Sequence, residues 1–191
     1  MSGASGVQPT SRAVVTVTFL RMDQRPADPP RRLPDGCSLV TAAACTVPFY
    51  RYLYGTVGGP YLWWLRRSLS DAVLESLLRD PAVSITVLYR GGEPAGFFEL
   101  DRRQSPAINL SYFGLMPSMT GLGLGTAFLR AAIDAAFTEG ARALTVNTCT
   151  ADHPRALPGY LRAGFRPLRA VREVWDVPSQ LGLSIPERLR V

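Results

Sequence analysis

Cysteine and histidine are scarce in this chain, and long apolar runs are missing. Cys37, Cys45 and Cys149 are its only cysteines and His153 its only histidine, among 191 residues. No C-x-x-C pair occurs, and an odd number of widely spaced thiols argues against a disulfide framework or a zinc knuckle. We expect no metal, and read the thiols as buried free groups. The first dozen residues, MSGASGVQPTSR, lack the apolar run of a secretion signal. No later stretch approaches the ~20 apolar residues that span a bilayer. The expectation is a soluble cytoplasmic protein with no membrane partner, residues 1–12 forming a disordered tail and residues 13–191 one domain. Runs of basic residues are missing as well. The net charge is +6, but the arginines are scattered as Arg31-Arg32, Arg66-Arg67, Arg102-Arg103 and single positions. Such scatter is not a nucleic-acid arm, and each pair reads as solvated surface. The charge would also suit a cofactor carrying several phosphates.

What is present is a mixed α/β pattern. The β-branched run Val14 to Leu20 predicts a strand, and the proline-rich stretch Gln24 to Gly36 a loop. From Ser38 to Tyr54 apolar residues recur at helical spacing, with Pro48 placed to kink or restart the helix. Ser70-Asp71 cap a short helix that ends near Arg79. Val83 to Tyr89, Ala95 to Leu100 and Ile108 to Leu115 read as an antiparallel meander, its first turn at Arg90-Gly91-Gly92-Glu93. Next comes a helix with Leu124, Phe128, Ala132 and Ala135 on one stripe and Gly140 as terminator. A strand Ala143 to Thr148, a short helix Arg155 to Arg162 and a strand Phe165 to Val177 complete the chain.

Between the meander and the long helix lies Leu115-Met116-Pro117-Ser118-Met119-Thr120-Gly121-Leu122-Gly123-Leu124-Gly125-Thr126. Glycines admit a ligand close to the backbone, and the unpaired N–H groups of a first helical turn attract anions, so a pyrophosphate is the natural guest. The dinucleotide fingerprint fails on glycine spacing, and the phosphate loop of nucleotide hydrolases fails for want of a succeeding Lys-Ser or Lys-Thr. A glycine loop without a ligand is the plain alternative.

The segment resembles the pyrophosphate motif of the GNAT superfamily, Gln/Arg-x-x-Gly-x-Gly/Ala after apolar-x-Pro, through Leu115, Pro117, Thr120, Gly123 and Gly125. Thr120 departs from the family's Gln or Arg. Downstream, Ala156, Tyr160, Gly164 and Phe165 match the family's Asn-x-x-Ala-x-x-x-Tyr-x-x-x-Gly-Phe stretch, with His153 in place of the asparagine. The resemblance covers roughly Ala95 to Arg166. It implies a mostly antiparallel central sheet of six to seven strands flanked by helices, and acetyl-CoA as cosubstrate. It also implies cofactor contacts from the splayed strand end Phe113, Gly114, Leu115 and Met116, from Thr120 to Thr126 (Gly121, Leu122, Gly123, Leu124 and Gly125 between them), and from His153 and Tyr160.

The same resemblance makes Tyr160 the general acid for the departing thiolate, against the simpler reading of a ring packed on Phe165. Where the family often has a glutamate base this chain has Asn109. Glu99, on the preceding strand among aromatics, is the candidate base, directly or through water, against a structural role. His153 reads as a cofactor-side or helix-start residue, and nothing near Cys149 lowers its pKa for covalent transfer. The aromatic run Phe49 to Tyr54, then Tyr61 to Trp64, is either core or the wall of an acceptor pocket, with Tyr54, Trp63, Trp64, Asn109 and Asn147 nearest the substrate. Gly58-Gly59 within it reads as a mobile point. Three functions fit these residues: an N-acetyltransferase acting on a small-molecule amine as monomer or homodimer, without nucleic acid; a protein or peptide acetyltransferase, which needs an open groove at residues 55–68; or an acyl-CoA-binding module without catalysis.

Overall fold

The computed structural model describes residues 9–191. Seven strands, β1 (Thr10–Met22), β2 (Cys37–Thr41), β3 (Val83–Arg90), β4 (Glu93–Asp101), β5 (Ala107–Leu115), β6 (Ala143–Cys149) and β7 (Arg166–Pro178), form one open sheet in the order β2-β3-β4-β5-β6-β1-β7. Every neighbouring pair is antiparallel except β5 and β6, which are parallel and joined by a helical crossover. The mixed, mostly antiparallel sheet expected from the sequence is present. Residues 1–8 of the expected tail lie outside the described residues, and β1 already begins at Thr10, where it pairs with Pro178.

Helix α1 (Val47–Gly58) and α2 (Asp71–Leu78) lie on one face of the sheet; α3 (Leu124–Thr138) and α4 (Ala156–Arg162) lie on the other. Period-2 alternation on β4 serves both layers: Phe98 and Leu100 pack with Phe128 and Ala132 of α3, whereas Phe97 packs with Tyr50 and Leu53 of α1. Burial on both faces explains why β4 reads as a continuous apolar run.

One expected element differs. Residues 37–41 form edge strand β2 rather than the start of a helix. Ser38 to Thr41 are exposed, so the apolar spacing there has no helix partner to pack against and the free edge of β3 captures the segment. Pro48 does not kink a helix; it sits in the first turn of α1, where its missing N–H costs nothing. Ser70 caps α2 as expected, its hydroxyl accepting from the Val73 N–H.

A bulge positions the site. Leu110 pairs with Leu100, yet Tyr112 pairs with Glu99, so Ser111 is an extra residue in β5. The extra residue reverses the facing of the strand's C-terminal half: Tyr112 turns to the α1 side and Phe113 to the α3 side, 5.0 Å between ring centroids from Phe128. Pairing of β5 with β6 ends at Leu110 and Val146, so the C-terminal halves of the two strands diverge.

Candidate active site

A cavity of about 1100 Å³ fills the opening between the diverging strands. The Met116 N–H donates to Ala95 at 2.8 Å, so alternation along β5 turns the backbone groups of Phe113 and Leu115 away from β4 and into the opening. These are free donors and acceptors for an extended ligand. Gly114, facing β4, serves packing: a Cβ there would meet Val57 Cγ1 at 2.4 Å, so its absence lets α1 lie directly on β5.

At the start of α3 the cavity is bordered by Thr120, Gly121, Gly123, Leu124, Gly125 and Thr126. Gly121 and Gly123 hold φ of +80° and +76°, a region that disfavours side chains, and a Cβ at either would enter open space. No acidic residue occupies the first turn of α3, so its N-terminal N–H groups keep their attraction for anions. The Thr120 hydroxyl donates back to the Pro117 carbonyl at 2.8 Å and closes the preceding turn. Arg31, Arg155 and Arg162 also border the cavity and have no ion-pair partner among the described residues.

Tyr160 of α4 is buried but borders the cavity, packed edge-on to Phe165 and Phe113. Its hydroxyl has no hydrogen-bond partner among the described residues, and burial, then the charge of Asp152, push its pKa well above the ordinary phenol value. His153 is exposed at the rim; its Nδ1 accepts from the Arg155 N–H at 3.1 Å, the helix-start role, and its ring meets Tyr61 edge-on. The Cys149 thiol, also on the cavity, is pushed up to about 12 by burial and Asp152, which holds it as a thiol.

The remaining wall is aromatic. Trp63 lies 5.3 Å from Tyr54 and 5.0 Å from Tyr112 between ring centroids. Its indole N–H donates to Asp152 Oδ1 at 3.2 Å, tying the α1–α2 segment to the loop after β6. Gly58 ends α1 and is a packing position: a Cβ would stand 2.3 Å from Trp63. Leu62, at φ 57°, is buried against Val15, Val17 and Ala151.

Of the residues singled out in the sequence, Tyr54, Trp63, Trp64, Asn109, Phe113, Gly114, Leu115, Asn147, His153, Tyr160 and most of the glycine loop border one cavity. Asn109 is held between Ser111 and Thr145. Met116 is buried beneath the cavity, and Leu122 is half exposed outside it. Glu99 does not reach the cavity. It is fully buried, accepting from the Tyr50 hydroxyl at 2.5 Å and from Arg66 at 2.6 Å. Arg66 is therefore not solvated surface, because its charge is drawn inward by Glu99 and its guanidinium stacks over Tyr112. Sequence reading missed Arg66, Tyr112 and Asp152. Asp152 stands next to His153, but only the loop geometry shows its carboxylate turned toward Trp63.

Comparison with known families matches residues 48–165 to the acetyltransferase (GNAT) family. The chain belongs to the GNAT family. Comparison with curated proteins found no match. Among solved structures, this GNAT chain resembles a GCN5-related N-acetyltransferase from Kribbella flavida (TM-score 0.60, 16% identity, 94% of this chain and 63% of that one). It also resembles a GCN5-related N-acetyltransferase from Sphaerobacter thermophilus (TM-score 0.59, 16% identity, 90% and 53%). A third is the aminoglycoside acetyltransferase meta-AAC0020 from an uncultured soil metagenomic sample, in complex with trehalose (TM-score 0.55, 15% identity, 68% and 88%). At these identities the likeness shows the fold alone. The chain spans less than two thirds of the length of the first two.

Proposed function

We propose that residues 13–191 act as one acetyl-CoA-dependent N-acetyltransferase domain, transferring acetyl directly to a primary amine of a small molecule. One observation carries the reading: a single cavity joins the glycine loop at the start of α3 to the aromatic wall of Tyr54, Trp63 and Tyr112, with Tyr160 bordering the same space. Acetyl-CoA, when bound, supplies the acetyl group as a thioester. The residues present fit it. The side-chain-free space at Gly121 and Gly123 and the N–H groups of Leu124 to Thr126 cradle a pyrophosphate, and the diverging backbone at Phe113 and Leu115 holds an extended arm. The unpaired arginines offset phosphate charge.

Amine attack requires a neutral nitrogen, and water in the open cavity takes its proton, since both oxygens of Glu99 are engaged beneath the wall. A backbone N–H at Phe113 or Leu115 stabilises charge developing on the carbonyl oxygen. Tyr160 Oη gives its proton to the leaving sulfur; its raised pKa keeps the proton in place until then. The segment over residues 59–68 is folded onto the cavity and tied to Asp152 and His153, which supports a small acceptor over a protein chain in an open groove.

The test is calorimetric titration with acetyl-CoA and CoA, then thiol release over a panel of amines, amino acids and peptides. Release on small amines is expected. Release on peptides alone would replace the acceptor class, and absence of CoA binding would overturn the reading.

A further inference from the structure

Three carboxylates border the cavity: Asp28, Asp101 and Asp152. Asp28 is paired with Arg130 at 2.9 Å and Asp101 with Arg103 at 2.6 Å. Asp152 has no cation within ion-pair distance among the described residues. It is not solvated surface either. Oδ2 accepts from Thr148 Oγ1 at 2.7 Å and from the Cys149 N–H at 2.9 Å, which fixes the carboxylate in one orientation. Oδ1 accepts the Trp63 indole N–H at 3.2 Å and keeps a lone pair for another donor. The charge therefore stands at the edge of the Trp63, Tyr112 and Tyr54 wall, and its field reaches the Tyr160 hydroxyl.

A half-buried, unneutralised carboxylate held beside aromatic rings is a cation site: the charge attracts an ammonium, and the ring faces favour the same charge. Arg66 does not supply that cation, because Glu99 already holds it. We propose that Asp152 selects the acceptor, binding the ammonium of an arylalkyl amine at Oδ1 while its ring lies on Trp63. Acceptors with a positive nitrogen and a flat apolar body are preferred, and anionic ones are repelled. This rests on the acetyl-transfer reading for its consequence, but the binding site is testable without turnover.

The probes are phenethylamine, its neutral isostere 2-phenylethanol and the anion 3-phenylpropionate, titrated calorimetrically into CoA-saturated and CoA-free protein. The expected order is phenethylamine first, with 3-phenylpropionate weakest. Asp152→Asn keeps one oxygen for the Cys149 N–H and the Thr148 hydroxyl but turns its amide toward the Trp63 N–H. It should therefore weaken phenethylamine binding about tenfold or more, lower 2-phenylethanol affinity no further than loss of the Trp63 tether does, and leave CoA affinity unchanged. Trp63→Phe removes only the tether and ring area, and should weaken phenethylamine and 2-phenylethanol alike. Equal losses for the amine and the alcohol in Asp152→Asn would make Asp152 a tether for Trp63 only, and would overturn the proposal. So would tighter binding of 3-phenylpropionate than of phenethylamine. Failure to bind CoA or release thiol would sink the acetyl-transfer reading separately, since the amine titration reads Asp152 in either case.

Discussion

Arg66 donates to the fully buried carboxylate of Glu99 at 2.6 Å, and this pair forms the underside of the aromatic wall. Tyr50 closes the second carboxylate oxygen. Removing one partner of a buried pair strands the other charge, at a typical cost of about 3–5 kcal/mol. Glu99→Ala should therefore lower unfolding free energy by about that amount in urea titration. Tyr50→Phe should cost less, about 1–3 kcal/mol, because it leaves one carboxylate lone pair unmet. Unchanged midpoints in both would mean that the network carries no stability.

Tyr160→Phe keeps the ring packed against Phe113 and Phe165 and removes only the hydroxyl that carries the proton. General-acid assistance typically contributes about 10²–10⁴-fold, so kcat should fall within that range while calorimetric CoA affinity stays level. Retained kcat would assign the proton to another group.

Because burial and Asp152 raise the Tyr160 pKa, its neutral, proton-donating form persists above the ordinary phenol value of about 10. The sign is then fixed: kcat should climb with pH as the acceptor amine loses its proton, with no falling limb below about pH 10. A kcat profile that turns down in the neutral range would rule out Tyr160 as the acid.

Gly123→Val places a β-branched side chain into the open space before α3 and forces it into a left-handed backbone. The strain costs roughly 1–2 kcal/mol, which circular dichroism melts should register as a modest shift with the fold retained. CoA binding should be lost. Unchanged affinity would move the pyrophosphate away from this loop.

Gly114→Ala would put Cβ within 2.4 Å of Val57 Cγ1. Overpacking of this kind costs about 1–3 kcal/mol. Pairing it with Val57→Ala removes the colliding methyl, so the double variant should be more stable than additivity allows, which a double-mutant cycle measures. Strict additivity would show that α1 does not lie on β5 as described.

The pattern of residues along the chain determined much of this protein. β-Branched runs, the cap at Ser70 and the stripe of α3 are local signals, and each led to the element observed. The glycines before α3 were legible as a loop for the same reason, because the left-handed backbone at Gly121 and Gly123 is a local requirement that needs no distant partner. Tertiary structure decided what depends on partners far apart in sequence. Residues 37–41 had helical spacing, but the open edge of β3 made them a strand. The bulge at Ser111 turned Tyr112 toward Trp63 and Phe113 toward Phe128, which no alternation rule applied to β5 alone would give. It was also the fold that withdrew Glu99 into an ion pair with Arg66 and left Asp152 facing the cavity unpaired. A carboxylate's role depends on the charges and dielectric around it, and those are assembled only when the sheet closes over its helices.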